Sequence, residues 1–198
     1  MTDSSSPEFK TFQLGDWTLQ HGGTLSNAHL AYQTFGDPKN PAIYFIIIPA
    51  LFGNGQSTSP SNTSSSKLFP EISFYDNVRA QYKLVTEHLA IKHLYCVIGW
   101  SMGAGQTYQW ITQYPDFMDL AIPFCGSART SLHNQVFLEG VKSALLAAKG
   151  VDGGGVMAKG SETSRSWTEK EKEIGLRALG RVYAGWQAKD LTHGKKQN

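Results

Sequence analysis

A chain of 198 residues, 40% hydrophobic and 17% charged, is long enough for one sizeable core and too short for two comfortable domains. Eighteen basic against sixteen acidic side chains leave a formal charge of +2, which argues against the concentrated basic face of a nucleic-acid binder. Two cysteines, Cys96 and Cys125, sit inside apolar runs and do not make a disulfide scaffold. No basic start followed by an apolar stretch marks a secretory signal, and the apolar run 41–52 falls short of the ~20 residues that span a bilayer. The expectation is a cytoplasmic protein without membrane or nucleic-acid partners. A peroxisomal location is the alternative, although the C-terminus is not of the Ser-Lys-Leu type.

Residues 1–8 are polar and expected to be disordered. Strand-like pieces at 12–19 and 29–35 flank the turn signal His21-Gly22-Gly23. After a loop at 36–41, the run 42–49 is apolar without alternation and β-branched, the pattern of a strand covered on both faces in a parallel sheet. A glycine-bearing loop then leads into a serine-rich stretch to Ser66, expected to be mobile surface. Between 76 and 90, Val78, Tyr82, Val85 and Leu89 recur at helical spacing. A buried strand is expected at 94–98. It precedes a helix over 104–114 with Ala104, Tyr108 and Ile111 on one face and Pro115 as its stop. Another buried strand follows at 120–125 and another helix at 136–148.

Alternating buried strands and amphipathic helices imply βαβ units and an α/β fold with a mostly parallel sheet and flanking helices. The organisation expected is a core over 9–149, then a flexible segment and a lid-like helix over 150–198. In that last part Leu176, Leu179, Val182, Tyr183 and Trp186 lie at approximate helical spacing.

The chemical signal is Gly99-Trp100-Ser101-Met102-Gly103, a G-x-S-x-G pattern. Alone it is weak, but here it falls between a predicted strand and a predicted helix, the context of a nucleophile elbow. Ser101 is the candidate nucleophile. A sharp turn there holds the serine in a strained conformation and projects its hydroxyl above the sheet edge. Gly99 and Gly103 allow the turn to close, and the helix N-terminus favours developing negative charge. The N–H of Met102 is the expected oxyanion donor.

The longer run Gly99 to Gln106, with Tyr108-Gln109-Trp110 behind it, resembles the elbow of the homoserine O-acetyltransferase-like family of α/β-hydrolases. Flanking segments agree: Leu51-Phe52-Gly53-Asn54-Gly55, Tyr75-Asp76-Asn77-Val78-Arg79-Ala80-Gln81, Phe124-Cys125-Gly126-Ser127-Ala128-Arg129-Thr130 and His133-Asn134. Arg181-Val182-Tyr183-Ala184-Gly185-Trp186 resembles the family's lid region. The likeness is greater to fungal members of unassigned substrate, some in secondary-metabolite and toxin pathways, than to the methionine-pathway enzymes. It implies acyl transfer or ester hydrolysis through an acyl-serine. The substrate it implies is a small-molecule ester or acyl-CoA, with no metal or organic cofactor.

A serine hydroxyl needs a histidine to take its proton and an acid to orient that histidine. In this fold the chain order is serine, acid, histidine. After Ser101 the sequence holds only His133 and His193. His133 reads as a polar loop residue, and the pair Asp190/His193 is too closely spaced for the strand and helix that separate the two positions. His133 or His88 remains as an unconventional base. The family also has a strand, an oxyanion loop and a helix where 40–46 here runs straight from one strand into another, so the second oxyanion donor lacks a counterpart. The resemblance therefore implies a truncated, incomplete α/β-hydrolase fold. A catalytically impaired product or pseudoenzyme stands as the alternative to an active enzyme.

Overall fold

The computed structural model describes residues 8–40, 44–63, 69–149 and 167–187. They fall into two compact units, within 1–128 and 129–198. The expectations of a disordered 1–8 and a flexible 150–166 lie almost wholly outside the described residues.

The first unit starts with a hairpin of β1 (Lys10–Thr18) and β2 (Thr24–Phe35), paired antiparallel from Lys10↔Tyr32 to Thr18↔Thr24. Gly22 and Gly23 close it at φ 91° and 86°, a left-handed conformation that side chains disfavour. The hairpin's inner face supplies Leu14, Trp17, Leu25 and Leu30 to the core, which Phe52, Ala80 and Leu84 complete. Strand β3 (Ile46–Pro49) pairs with β2, also antiparallel, from Phe35↔Ile46 to Tyr32↔Pro49. Among the described residues the strand is shorter than the expected 42–49: Tyr44 and Phe45 are not in it, and 42 and 43 lie outside the described residues. It is also not the twice-covered parallel strand that its composition suggests: Ile46 and Ile48 are exposed, because β3 has a neighbour on one edge only.

The start of the serine-rich loop departs from expectation as well, while 60–62 are exposed and 64–66 lie outside the described residues. Ser57, Thr58 and Ser59 are buried, and each is held by hydrogen bonds. Ser57 Oγ accepts from Ala31 N (2.8 Å) and donates to the Ala50 carbonyl (2.8 Å), while Thr58 Oγ1 accepts from His29 N (2.6 Å). These hydroxyls satisfy backbone groups that would otherwise be orphaned in the interior, a role that composition does not reveal.

Helix α1 (Phe74–Lys83) begins at a capping box: Ser73 Oγ accepts from Asp76 N and the Asp76 carboxylate accepts from Ser73 N. The other oxygen of the buried Asp76 accepts from Gln20 N (2.8 Å), tying the helix start to the hairpin. A π turn over Leu84–His88 ends the segment, with Leu89 N bonded to the Leu84 carbonyl at 3.0 Å.

Strands β4 (Leu94–Trp100) and β5 (Met118–Phe124) form a separate parallel pair. Helix α2 (Met102–Gln113) joins them through a 3₁₀ turn at Pro115–Phe117. The parallel part of the sheet is thus two strands, beside three antiparallel ones. Helix α2 buries Ala104, Thr107 and Trp110; of Ala104, Tyr108 and Ile111, which share a face by spacing, only Ala104 is buried. The Trp110 ring is the largest group available, and the helix rotates to bury it. The two strands, expected to be buried, cover one face only: Ile98, Trp100, Leu120, Ile122 and Phe124 alternate onto an exposed face.

The second unit is a pair of helices, α3 (Leu132–Leu146) and α4 (Glu169–Gln187). Gly175 lets them approach, since a Cβ there would meet the Leu145 side chain and carbonyl at 3.0 Å. Phe137 packs against Tyr183, and a Thr168/Glu171 capping box starts α4.

Candidate active site

Strand β4 ends at Trp100 and α2 begins at Met102, so one residue makes the whole change of direction. That residue is Ser101, at φ 55° and ψ −115°, a conformation that costs a non-glycine residue on the order of 1–3 kcal/mol. The surroundings enforce it. Ser101 N donates to the Phe124 carbonyl (3.1 Å), extending the β4–β5 ladder by one rung, while the Ser101 carbonyl accepts from Ala104 N (3.0 Å). The serine is therefore bonded into the sheet through its N–H and into the helix through its carbonyl.

Two glycines make this approach possible. A Cβ on Gly99 would lie 2.0 Å from the Gly103 carbonyl oxygen and 2.5 Å from Thr107 Oγ1. A Cβ on Gly126 would lie 2.4 Å from Ala104 Cβ and 3.1 Å from the Ser101 carbonyl oxygen. Gly103 differs from the sequence-based expectation: a Cβ there would meet nothing within 4 Å, so the turn does not require it to be glycine.

The Ser101 side chain is exposed and does not cap α2. Its hydroxyl is left free at the N-terminus of a twelve-residue helix whose first turn holds no acidic residue. Met102 N lies in that first turn, where N–H groups have no intrahelical acceptor. Helix dipole and free N–H groups together suit an oxygen that gains negative charge. Trp100, 68% exposed, stacks on Phe124 beside the serine at 6.1 Å between ring centroids.

One supporting network was not legible as such. Trp110 Nε1 donates to Gln81 Oε1 (2.9 Å), and Gln81 Nε2 donates to Gln106 Oε1 (2.5 Å), locking α2 to α1. All three residues belong to the motifs that carry the family resemblance. The spacing of Gln106 and Trp110, one helical turn apart, is the signal from which the network could have been found.

Three of the six histidines are engaged elsewhere. His29 bonds Thr58 Oγ1 and the Gln56 carbonyl, and His88 bonds the Tyr32 hydroxyl and packs on Phe12. His93 pairs with Asp119 at 2.8 Å, a histidine–acid pair in form, but at the N-terminal ends of β4 and β5. At about 3.3 Å per strand residue this pair lies more than about 20 Å from Ser101. His133 is exposed on the first turn of α3 in the second unit, and Asp190/His193 lie outside the described residues. Upstream, β2 passes to β3 with no further strand or helix between them among the described residues. Also among the described residues, no group of three or more His, Cys, Asp and Glu side chains could hold a metal ion, and no helix is long and apolar enough to cross a membrane.

Two tyrosines are shifted. Burial raises Tyr32, and burial raises Tyr114 with help from Tyr82, on which it stacks at 3.8 Å, and Tyr75.

The family model for the α/β hydrolase fold matches residues 19–138, which carry β2, β3, the elbow and β5. The chain belongs to the α/β-hydrolase family. Relatives of this α/β-hydrolase chain include a probable esterase of Corynebacterium glutamicum, 32% identical over 181 residues, covering 74% of this chain and 52% of the relative. The homoserine O-acetyltransferase of Rhodospirillum rubrum is 36% identical over 129 residues, covering 62% of this chain and 33% of the relative. The solved structure of an acetylester hydrolase from Corynebacterium glutamicum superposes with a TM-score of 0.76 at 30% identity, covering 90% of this chain and 58% of that one. The chain thus spans between a third and three-fifths of the length of these relatives, and its sheets are an incomplete version of the family's fold.

Proposed function

We propose that the chain acts as a serine-dependent esterase or acyltransferase on small acyl esters or acyl thioesters, with Ser101 as nucleophile. The observation that carries this reading is the strained, doubly anchored Ser101 with an exposed hydroxyl at the start of α2. Ser101 Oγ attacks the substrate carbonyl carbon and passes its proton to a base. The carbonyl oxygen, now negative, accepts from Met102 N–H. The alcohol or thiol leaves with a proton, and the acyl-serine gives its acyl group to water or to an acceptor hydroxyl. Gly99 keeps the elbow closed and Trp100 forms an apolar wall beside the acyl group. The names of the esterase and acetyltransferase relatives support an acetyl-type acyl group. The sequence resemblance supports a biosynthetic role.

The base comes from outside the described residues in this reading. A second reading rests on a specific observation: His29, His88 and His93 are all engaged away from Ser101. In that reading the chain keeps the elbow and has lost catalysis.

Incubation with p-nitrophenyl acetate separates the two. The expected result is an acetyl group on Ser101 by peptide mass spectrometry, and a Ser101→Ala variant slower by on the order of 10³ or more. Equal hydrolysis by both proteins with no acetyl on Ser101 contradicts the enzyme and favours the impaired form.

A further inference from the structure

Ser101 stands between two apolar groups that the fold places on opposite faces of β4. Side chains alternate along a strand. Gly99 faces α2, since a Cβ there would lie 2.5 Å from Thr107 Oγ1, so Trp100 faces away from that helix. On the helix side the apolar group is Phe74. Gly105 comes one turn after Ser101, and its N–H donates to the Ser101 carbonyl at 3.4 Å. Residues four apart share a helix face, with about 5–6 Å between their Cβ positions. At Gly105 that position is taken by the Phe74 ring. A Cβ there would lie 2.6, 3.1 and 3.3 Å from its Cε2, Cζ and Cδ2 atoms. Having no side chain at Gly105 thus lets a phenyl ring from another helix lie on the face of α2 that begins at the nucleophile. The ring is held in place: Phe74 opens α1 directly after the Ser73 cap, and the bond from Gln81 to Gln106 ties α1 to α2. It is also 40% exposed, so it offers surface to a ligand.

Size decides which part of an ester reaches this ring. An acetyl group extends one carbon–carbon bond, about 1.5 Å, from its carbonyl and ends short of a ring one helical turn away. The alcohol part is the longer arm, and Trp100 occupies the opposite face. We propose that Phe74 is a specificity-determining residue, its ring seated on Gly105 as the apolar shelf for the alcohol part of the ester. The site then selects acetate esters of apolar alcohols such as hexanol over ethyl acetate. The turnover readout of this inference rests on Ser101 as nucleophile, whereas its binding readout does not.

Hexyl and ethyl acetate have leaving groups of like chemistry, so their comparison isolates the apolar contact. The expected kcat/KM favours hexyl acetate by about tenfold in the unaltered chain. Phe74→Ala is expected to remove that preference while changing ethyl acetate less than about twofold, and Phe74→Leu to restore part of it. The second readout is the Kd of hexyl acetate, titrated by NMR into the Ser101→Ala chain, where no acyl-serine can form. Adding Phe74→Ala is expected to raise this Kd about tenfold. A chain that hydrolyses neither ester and takes no acetyl onto Ser101 contradicts the nucleophile, and the Kd comparison then decides the shelf alone. The shelf is overturned if Phe74→Ala leaves the ester preference or the Kd unchanged. It is also overturned if Phe74→Ala strengthens the preference for hexyl acetate, since the ring would then be a steric block.

Discussion

At the scale of single residues, the elbow is where backbone and chemistry meet. Ser101 is held at φ 55°, a conformation glycine reaches freely. Ser101→Gly is therefore expected to stabilise the fold by about 1 kcal/mol, after the larger chain entropy of glycine is subtracted. Urea denaturation checks this, and an unchanged or lower midpoint contradicts the strain. Gly99 behaves in the opposite way: Gly99→Ala drives a Cβ onto the Gly103 carbonyl and is expected to cost about 3 kcal/mol in the same measurement. The sharp turn at Ser101 between Trp100 and Met102 was legible because G-x-S-x-G between a strand and a helix is a geometric statement as well as a pattern. Gly103 was read by the same logic, yet its role is not in closing the turn. A motif does not distinguish a glycine that is crowded from one that faces open space.

At the scale of elements, position along the chain was easier to read than burial. The hairpin, α1, β4, α2, β5 and α3 all lie where periodicity and turn residues put them. Which side faces inward is decided by partners distant in sequence. Helix α2 turns Trp110 inward because Gln81 on α1 accepts its indole N–H. Trp110→Phe keeps the ring but leaves Gln81 Oε1 unpaired in the interior. The expected cost is about 1–3 kcal/mol by thermal or urea unfolding, larger than that of Tyr108→Phe on the exposed side of the same helix. The apolar runs 42–49, 94–98 and 120–125 read as fully covered strands, although their outer residues are exposed. Composition records what a strand was built to face, whereas exposure depends on which neighbours are there. The buried hydroxyls of Ser57 and Thr58 escaped for the converse reason, since only the folded backbone shows which N–H groups they satisfy.

At the scale of the whole molecule, the incomplete fold explains why an intact elbow stands without visible partners. The sheet is divided between β3 and β4, and among the described residues the histidine–acid pair, His93–Asp119, is at the far ends of the strands. The direct passage from β2 to β3, with no further strand or helix between them among the described residues, was legible as a gap in spacing at 40–46. A pH dependence of global stability follows from Tyr32. Burial raises its pKa above 10.0 in the folded state, so the unfolded chain ionises first and holds fewer protons. Stability is therefore full below pH 10 and falls as pH rises from there through the folded-state value. Thermal melts in alkaline buffers are expected to show this fall, and Tyr32→Phe should make it shallower. The most direct test of the account is labelling of the folded protein with a fluorophosphonate probe, which reports an activated serine without assuming a substrate. The prediction is stoichiometric labelling on Ser101 that vanishes in Ser101→Ala. A well-folded sample that takes up no probe, or takes it up equally in the variant, would contradict the assignment of Ser101 as a working nucleophile.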